Sequence, residues 1–114
     1  VEGALKYYGK AVELNPEYYE ANYNLAVVYY NQARDIISEM NNLSLDDFRK
    51  KEAEYMEKAA VHFQESLPFF EKAAEIKPDE DIQLLETLEG VYLRLQMTEK
   101  AEALEKRIKE LTGQ

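Results

Sequence analysis

The sequence predicts an all-α fold, and three observations carry that reading. Apolar residues recur at three and four spacing along nearly the whole chain, no run alternates as a strand does, and only four Gly and three Pro punctuate 114 residues. Long, uninterrupted helices follow. The first predicted segment, Glu2 to Leu14, sets Ala4, Leu5, Tyr8, Ala11 and Val12 on one stripe before Asn15-Pro16 stops it. The second, about Glu17 to Met40, buries Leu25, Ala26, Tyr29, Ala33, Ile36 and Met40 and closes at Asn41-Asn42. A third starts at Ser44, whose hydroxyl suits an N-cap, with Asp46 and Asp47 favoured by the helix dipole.

Phe48, Tyr55, Met56, Ala59, Phe63, Leu67, Phe70 and Ala74 then keep helical spacing to Ile76, roughly 50 Å of helix at ~1.5 Å per residue. Pro68 removes one hydrogen bond and crowds the preceding turn, which predicts a kink near Gln64 to Leu67 or a break with Ser66 as a new cap. The fourth segment, about Glu80 to Gln96, carries Leu84, Leu85, Leu88, Val91, Tyr92 and Leu95. A fifth begins with Thr98 as its expected N-cap and presents Ala101, Leu104, Ile108 and Leu111.

Composition narrows the function. At 46% hydrophobic and 32% charged, the chain is sized and patterned for one folded domain. Its net charge of −9 has the wrong sign for neutralising nucleic-acid phosphates, so no nucleic-acid partner is expected. The longest uncharged stretch, Ala21 to Ala33, is far short of the ~20 apolar residues of a membrane span. Without cysteine there is no disulfide, thiolate zinc site or cysteine nucleophile. The chain opens on Val1 rather than Met, which we read as a piece of a longer protein with any signal peptide upstream.

An internal echo organises the helices. Tyr7-Tyr8-Gly9-Lys10-Ala11-Val12-Glu13-Leu14-Asn15-Pro16-Glu17 aligns with Phe69-Phe70-Glu71-Lys72-Ala73-Ala74-Glu75-Ile76-Lys77-Pro78-Asp79, nearly every pair alike in character. This aromatic, small, aliphatic and proline series resembles the second helix of a tetratricopeptide repeat. Ala4, Tyr8, Ala11 and Pro16 match the second half of that pattern, and Leu25-Ala26 with Tyr29 match the start of the next unit. Leu85, Leu88 and Tyr92, followed by Ala101 and Ile108, look like a last repeat, with Gly113 where proline would fall.

There are departures. Asn22 and Leu85 stand at the family's tryptophan position, and Glu89, followed by Gly90, stands where a small residue lets the helices touch. Pro16 and Pro78 are roughly 62 residues apart, an excess of roughly 28 over the ~34 of the repeat, or about four heptads. Sharing that excess between both helices predicts a long antiparallel hairpin projecting beyond the solenoid. Its expected seam is Ile36, Ile37 and Met40 against Leu45, Phe48, Tyr55 and Met56. The chain thus divides into residues 1–16, the second helix of a truncated repeat; 17–78, an enlarged repeat; and 79–114, a last repeat.

The residues carry little catalytic chemistry. His62 could share a helix face with Ser66 and Glu65, but the expected role is a partly exposed histidine. Asp79, Glu80 and Asp81 fit helix N-terminal acids rather than a calcium loop, and Arg49, Lys50 and Lys51 are interleaved with acids as on a solvated face. Neither cofactor nor metal is expected.

The resemblance implies instead a non-catalytic scaffold that binds a protein or peptide along the concave groove lined by the first helix of each repeat. Residue by residue, that role falls on Tyr23, Asn24, Val27, Tyr30, Asn31 and Arg34 of the second segment and on Glu86, Gly90, Leu93 and Arg94 of the fourth. Tyr23 and Tyr30, seven apart on a face turned from Leu25 and Tyr29, either line the groove or pack on a neighbouring helix. A chaperone-tail clamp does not fit, because Glu20 and Val27 stand in its stretch. The alternative is self-association through the hairpin or the N-terminal helix, where Val1, Leu5 and Tyr8 would lie partly open and could form a weak homodimer. The compartment is unknown; stretched hairpins and the Leu67-Pro68-Phe69-Phe70 turn resemble bacterial repeat proteins, which are often exported to the envelope or periplasm.

Overall fold

A computed structural model describes residues 2–77 and 81–113. Val1 and the Pro78, Asp79 and Glu80 named above lie outside these residues. Five helices follow in order, α1 (Glu2–Leu14), α2 (Tyr19–Asn41), α3 (Leu45–Ile76), α4 (Ile82–Arg94) and α5 (Thr98–Thr112), with no strand among the described residues. Each helix packs on its neighbours in the chain, α1 on α2, α2 on α3, α3 on α4 and α4 on α5. That sequential stacking spreads the Cα atoms over 44 × 39 × 18 Å. Such a slab accommodates two helix layers at the usual spacing of about 8–10 Å.

The turn after α1 is closed by local bonds. Asn15 Oδ1 accepts the Glu17 amide at 3.3 Å, and the Asn15 carbonyl accepts that of Tyr18 at 3.0 Å. Asn22, in the place of the family's tryptophan, is buried and donates through Nδ2 to the carbonyls of Pro16 (3.0 Å) and Tyr18 (2.8 Å). The Asn22 amide thus ties α2 to its own entry turn by two donated hydrogen bonds. Because those residues form a turn, α2 starts at Tyr19 rather than Glu17. Lys72 of α3 reaches the same turn, its ammonium 2.8 Å from Glu17.

α2 and α3 are the long elements, 23 and 32 residues. Ser44 caps α3 as expected, its Oγ accepting the Asp47 amide at 3.2 Å. Tyr55 donates across the pair to Glu39 at 3.5 Å, and Met40 is buried. Leu45 is a correction to the expected seam: it lies at the first turn of α3 and is 65% exposed. The helix does not break at Pro68. It runs through the proline to Ile76, and Ser66, the expected new cap, is a buried interior residue whose hydroxyl donates to the Phe63 carbonyl at 2.7 Å.

Phe63, Phe70, Ala59 and Ala73 of α3 form one continuous core with Ala26 and Ala33 of α2, with Leu84, Leu85, Leu88, Val91 and Tyr92 of α4, and with Ala101 and Leu104 of α5. α4 begins at Ile82, with Asp81 as N-cap accepting the Leu84 amide at 3.0 Å, and ends at Arg94, shorter than expected at both ends. Thr98 is the first helical residue of α5 and not its cap; that position is taken by Met97, which has no side-chain cap bond. The α4–α5 turn is closed by the backbone instead. Gln96 takes a left-handed conformation (φ 59°), and the Met97 amide donates back to the Tyr92 carbonyl at 2.8 Å. Gly90 does not mediate close packing: a Cβ there would meet nothing within 4 Å.

Candidate functional site

The site is framed by α2 and α4, which both pack against α3. Their N-terminal ends are linked by one acidic residue. While Asp81 Oδ1 caps α4, its Oδ2 accepts the hydroxyl of Tyr19 at 3.1 Å. Lys77, at the C-terminal end of α3, lies over the same tyrosine ring at 4.5 Å in a cation–π contact. Arg34 lies about 22 Å along α2 from Tyr19, and Arg94 about 20 Å along α4 from Asp81, at ~1.5 Å per residue. Both arginines line one cleft of about 310 Å³ at the far end, with Tyr30, Ile37, Asn41 and Phe63.

The predicted groove residues separate into a floor and a rim. Tyr23, Val27 and Tyr30 are half-buried and pack against the core. Tyr23 meets Phe70 edge-on at 6.4 Å, and Tyr30 meets Phe63 at 5.7 Å and Phe70 at 6.0 Å. These two tyrosines do not stand free, because residues seven apart share one helix face, and on α2 that face meets the rings of Phe63 and Phe70. Asn31, Arg34, Glu86, Leu93 and Arg94 are exposed, Leu93 to 57%; Asn24 and Gly90 are half-buried. Arg34 covers Tyr30, its guanidinium carbon 5.9 Å from the ring centroid.

Outside this face the chemistry is sparse. His62 Nδ1 pairs with Glu65 at 2.7 Å on the surface of α3, while Ser66 turns inward to the backbone, so the two do not form a pair. Among the described residues no three His, Asp or Glu side chains are grouped to hold a metal ion. No helix among them is long and apolar enough to cross a membrane. On α1, Leu5 and Tyr8 are half-buried, and the large apolar residues that stand exposed there are Tyr7 (72%) and Leu14 (78%). Sequence reasoning missed Tyr19, whose value depends on a carboxylate far along the chain, although its position at the head of an amphipathic helix was the available signal.

No curated protein matches the chain. A family model described as TPR repeat matches residues 1–32, which span α1, the Asn15-Pro16 turn and the first half of α2. Repeats of this kind are protein-interaction scaffolds. Over those residues the chain is similar to the tetratricopeptide repeat family, and the all-helical stack of sequential pairs has the architecture of such repeats.

Proposed function

We propose that the face shared by α2 and α4 binds an extended stretch of a partner polypeptide, without catalysis. The observation that carries the reading is the pair of exposed stripes, Asn31 and Arg34 on α2 and Glu86, Leu93 and Arg94 on α4, fixed in spacing by the Tyr19–Asp81 bond. Asparagine and arginine supply hydrogen bonds to an extended backbone, Leu93 supplies apolar contact, and the half-buried Tyr23, Val27 and Tyr30 give a rigid floor. In this reading residues 1–16, 17–78 and 79–114 are successive repeat units of one domain, the middle one enlarged. Replacing Asn31 and Leu93 by Ala should abolish retention of the partner by the full-length protein and leave its melting temperature nearly unchanged, since both side chains are exposed. Full retention by a folded double variant would overturn the reading.

A second reading, self-association, is favoured by one observation. Tyr7, Leu14, Gly3 and Ala11 border an open groove of about 500 Å³ along α1. Light scattering separates the two, because Tyr7→Ala with Leu14→Ala would convert a dimer into a monomer without touching the α2–α4 face.

A further inference from the structure

The cleft at the far end of the α2–α4 face has a composition unlike the rest of the molecule. The chain carries 23 acids against 14 Lys and Arg, and several of its cations are satisfied internally: Lys58 by Glu54, Lys72 by Glu17, Lys100 by Glu71 and Lys109 by Glu105. Arg34 and Arg94 converge on one cleft, and among the described residues neither has a carboxylate partner. Arg94 alone is explained by its place in the last turn of α4, where a cation suits the helix dipole. Arg34 is in the middle of α2 and has no such reason to be there.

The walls suit a carboxylate. Phe63 is buried at the base and Tyr30 and Ile37 are half-buried; such apolar walls exclude water and strengthen any ion pair formed against them. The Tyr30 ring holds the Arg34 guanidinium from below, which restricts a long side chain before any ligand arrives. Ser38 and Asn41, from the last turns of α2, add neutral polar groups at the rim. We propose that this cleft seats the side-chain carboxylate of an Asp or Glu in the bound polypeptide, held by Arg34 and Arg94. This rests on the reading of the α2–α4 face as a peptide groove and adds the chemistry of its ligand.

Net charge makes the inference sharp. A chain of −9 attracts basic peptides in a non-specific way and repels acidic ones, so preference for an acidic peptide has to come from a local site. The test uses three labelled peptides of equal length, alternating Leu with Glu, Gln or Lys, titrated against the full chain by fluorescence anisotropy. The Glu peptide should bind about tenfold more tightly than the Gln peptide, and the Lys peptide most weakly. Arg34→Gln with Arg94→Gln should bring the Glu peptide down to the value that the same variant shows for the Gln peptide and leave the circular dichroism melt unchanged. Equal binding of Glu and Gln peptides by wild type, a preference that survives in the double variant, or binding of none of the three would overturn the carboxylate assignment. The groove reading fails on a different result, unchanged partner retention by the Asn31 and Leu93 double variant.

Discussion

Tyr92 of α4 and Glu71 of α3 are joined by a 2.6 Å hydrogen bond in which the phenol donates to Oε2. Lys100 of α5 reaches the same oxygen at 3.5 Å, so one carboxylate gathers three successive helices. Burial, and then the bond to Glu71, push the Tyr92 hydroxyl well above the ordinary tyrosine range. Tyr92→Phe should lower unfolding free energy by about 1–2 kcal/mol in urea titrations at neutral pH. With the folded pKa above the unfolded one, the stabilisation is complete below roughly pH 10 and declines as pH rises beyond it. The variant should therefore show a shallower alkaline loss of stability than wild type.

Glu89 faces the opposite problem. Partial burial first, and then the carboxylates of Glu105 and Glu86, raise its pKa, with Lys109 only partly opposing. The raised value means that the fold favours the protonated form, and this contribution is lost as pH climbs through the folded pKa. Glu89→Gln should raise stability at pH 7 by a few tenths of a kcal/mol, and the difference should shrink toward roughly pH 4. Thermal melts at both pH values check it.

Gln96 holds a left-handed backbone conformation at φ 59° to close α4, a conformation that costs a side-chain-bearing residue about 1 kcal/mol. Its side chain is exposed. Gln96→Gly should accordingly stabilise the protein by about 0.5–1 kcal/mol in urea unfolding.

Pro68 sits exposed inside an unbroken α3, where it denies the Gln64 carbonyl its helical donor. Pro68→Ala should restore that bond and raise unfolding free energy by about 1–3 kcal/mol. A loss of stability would instead show that the proline's geometry seats Phe69 and Phe70.

The fold was legible because its signals are local. Ser44 with Asp47 three residues on announces a cap, and Leu84, Leu85, Leu88 and Val91 mark a buried stripe by spacing alone. What escaped the sequence depends on geometry between distant residues. Tyr19 and Asp81 join only after α3 has returned the chain to the head of α2. Gln96 adopts a glycine-like conformation without being glycine, so composition gives no hint of it. The α2 stripe was right in period, yet which of its faces met α3 depended on Phe63 and Phe70, whose rings draw in Tyr23 and Tyr30. Hence the exposed part of the candidate site narrowed to the residues flanking those tyrosines.

The most direct test of the α2–α4 face is site-specific photo-crosslinking in cells expressing the full-length protein. A photoreactive amino acid placed at Asn31 or Leu93 samples the proposed face, and one placed at Val61, which is 54% exposed on α3, samples a surface outside it. The account predicts that Asn31 and Leu93 crosslink to the same partner polypeptide, and that Val61 gives no such adduct. Crosslinking from Val61 with none from Asn31 or Leu93 would contradict it.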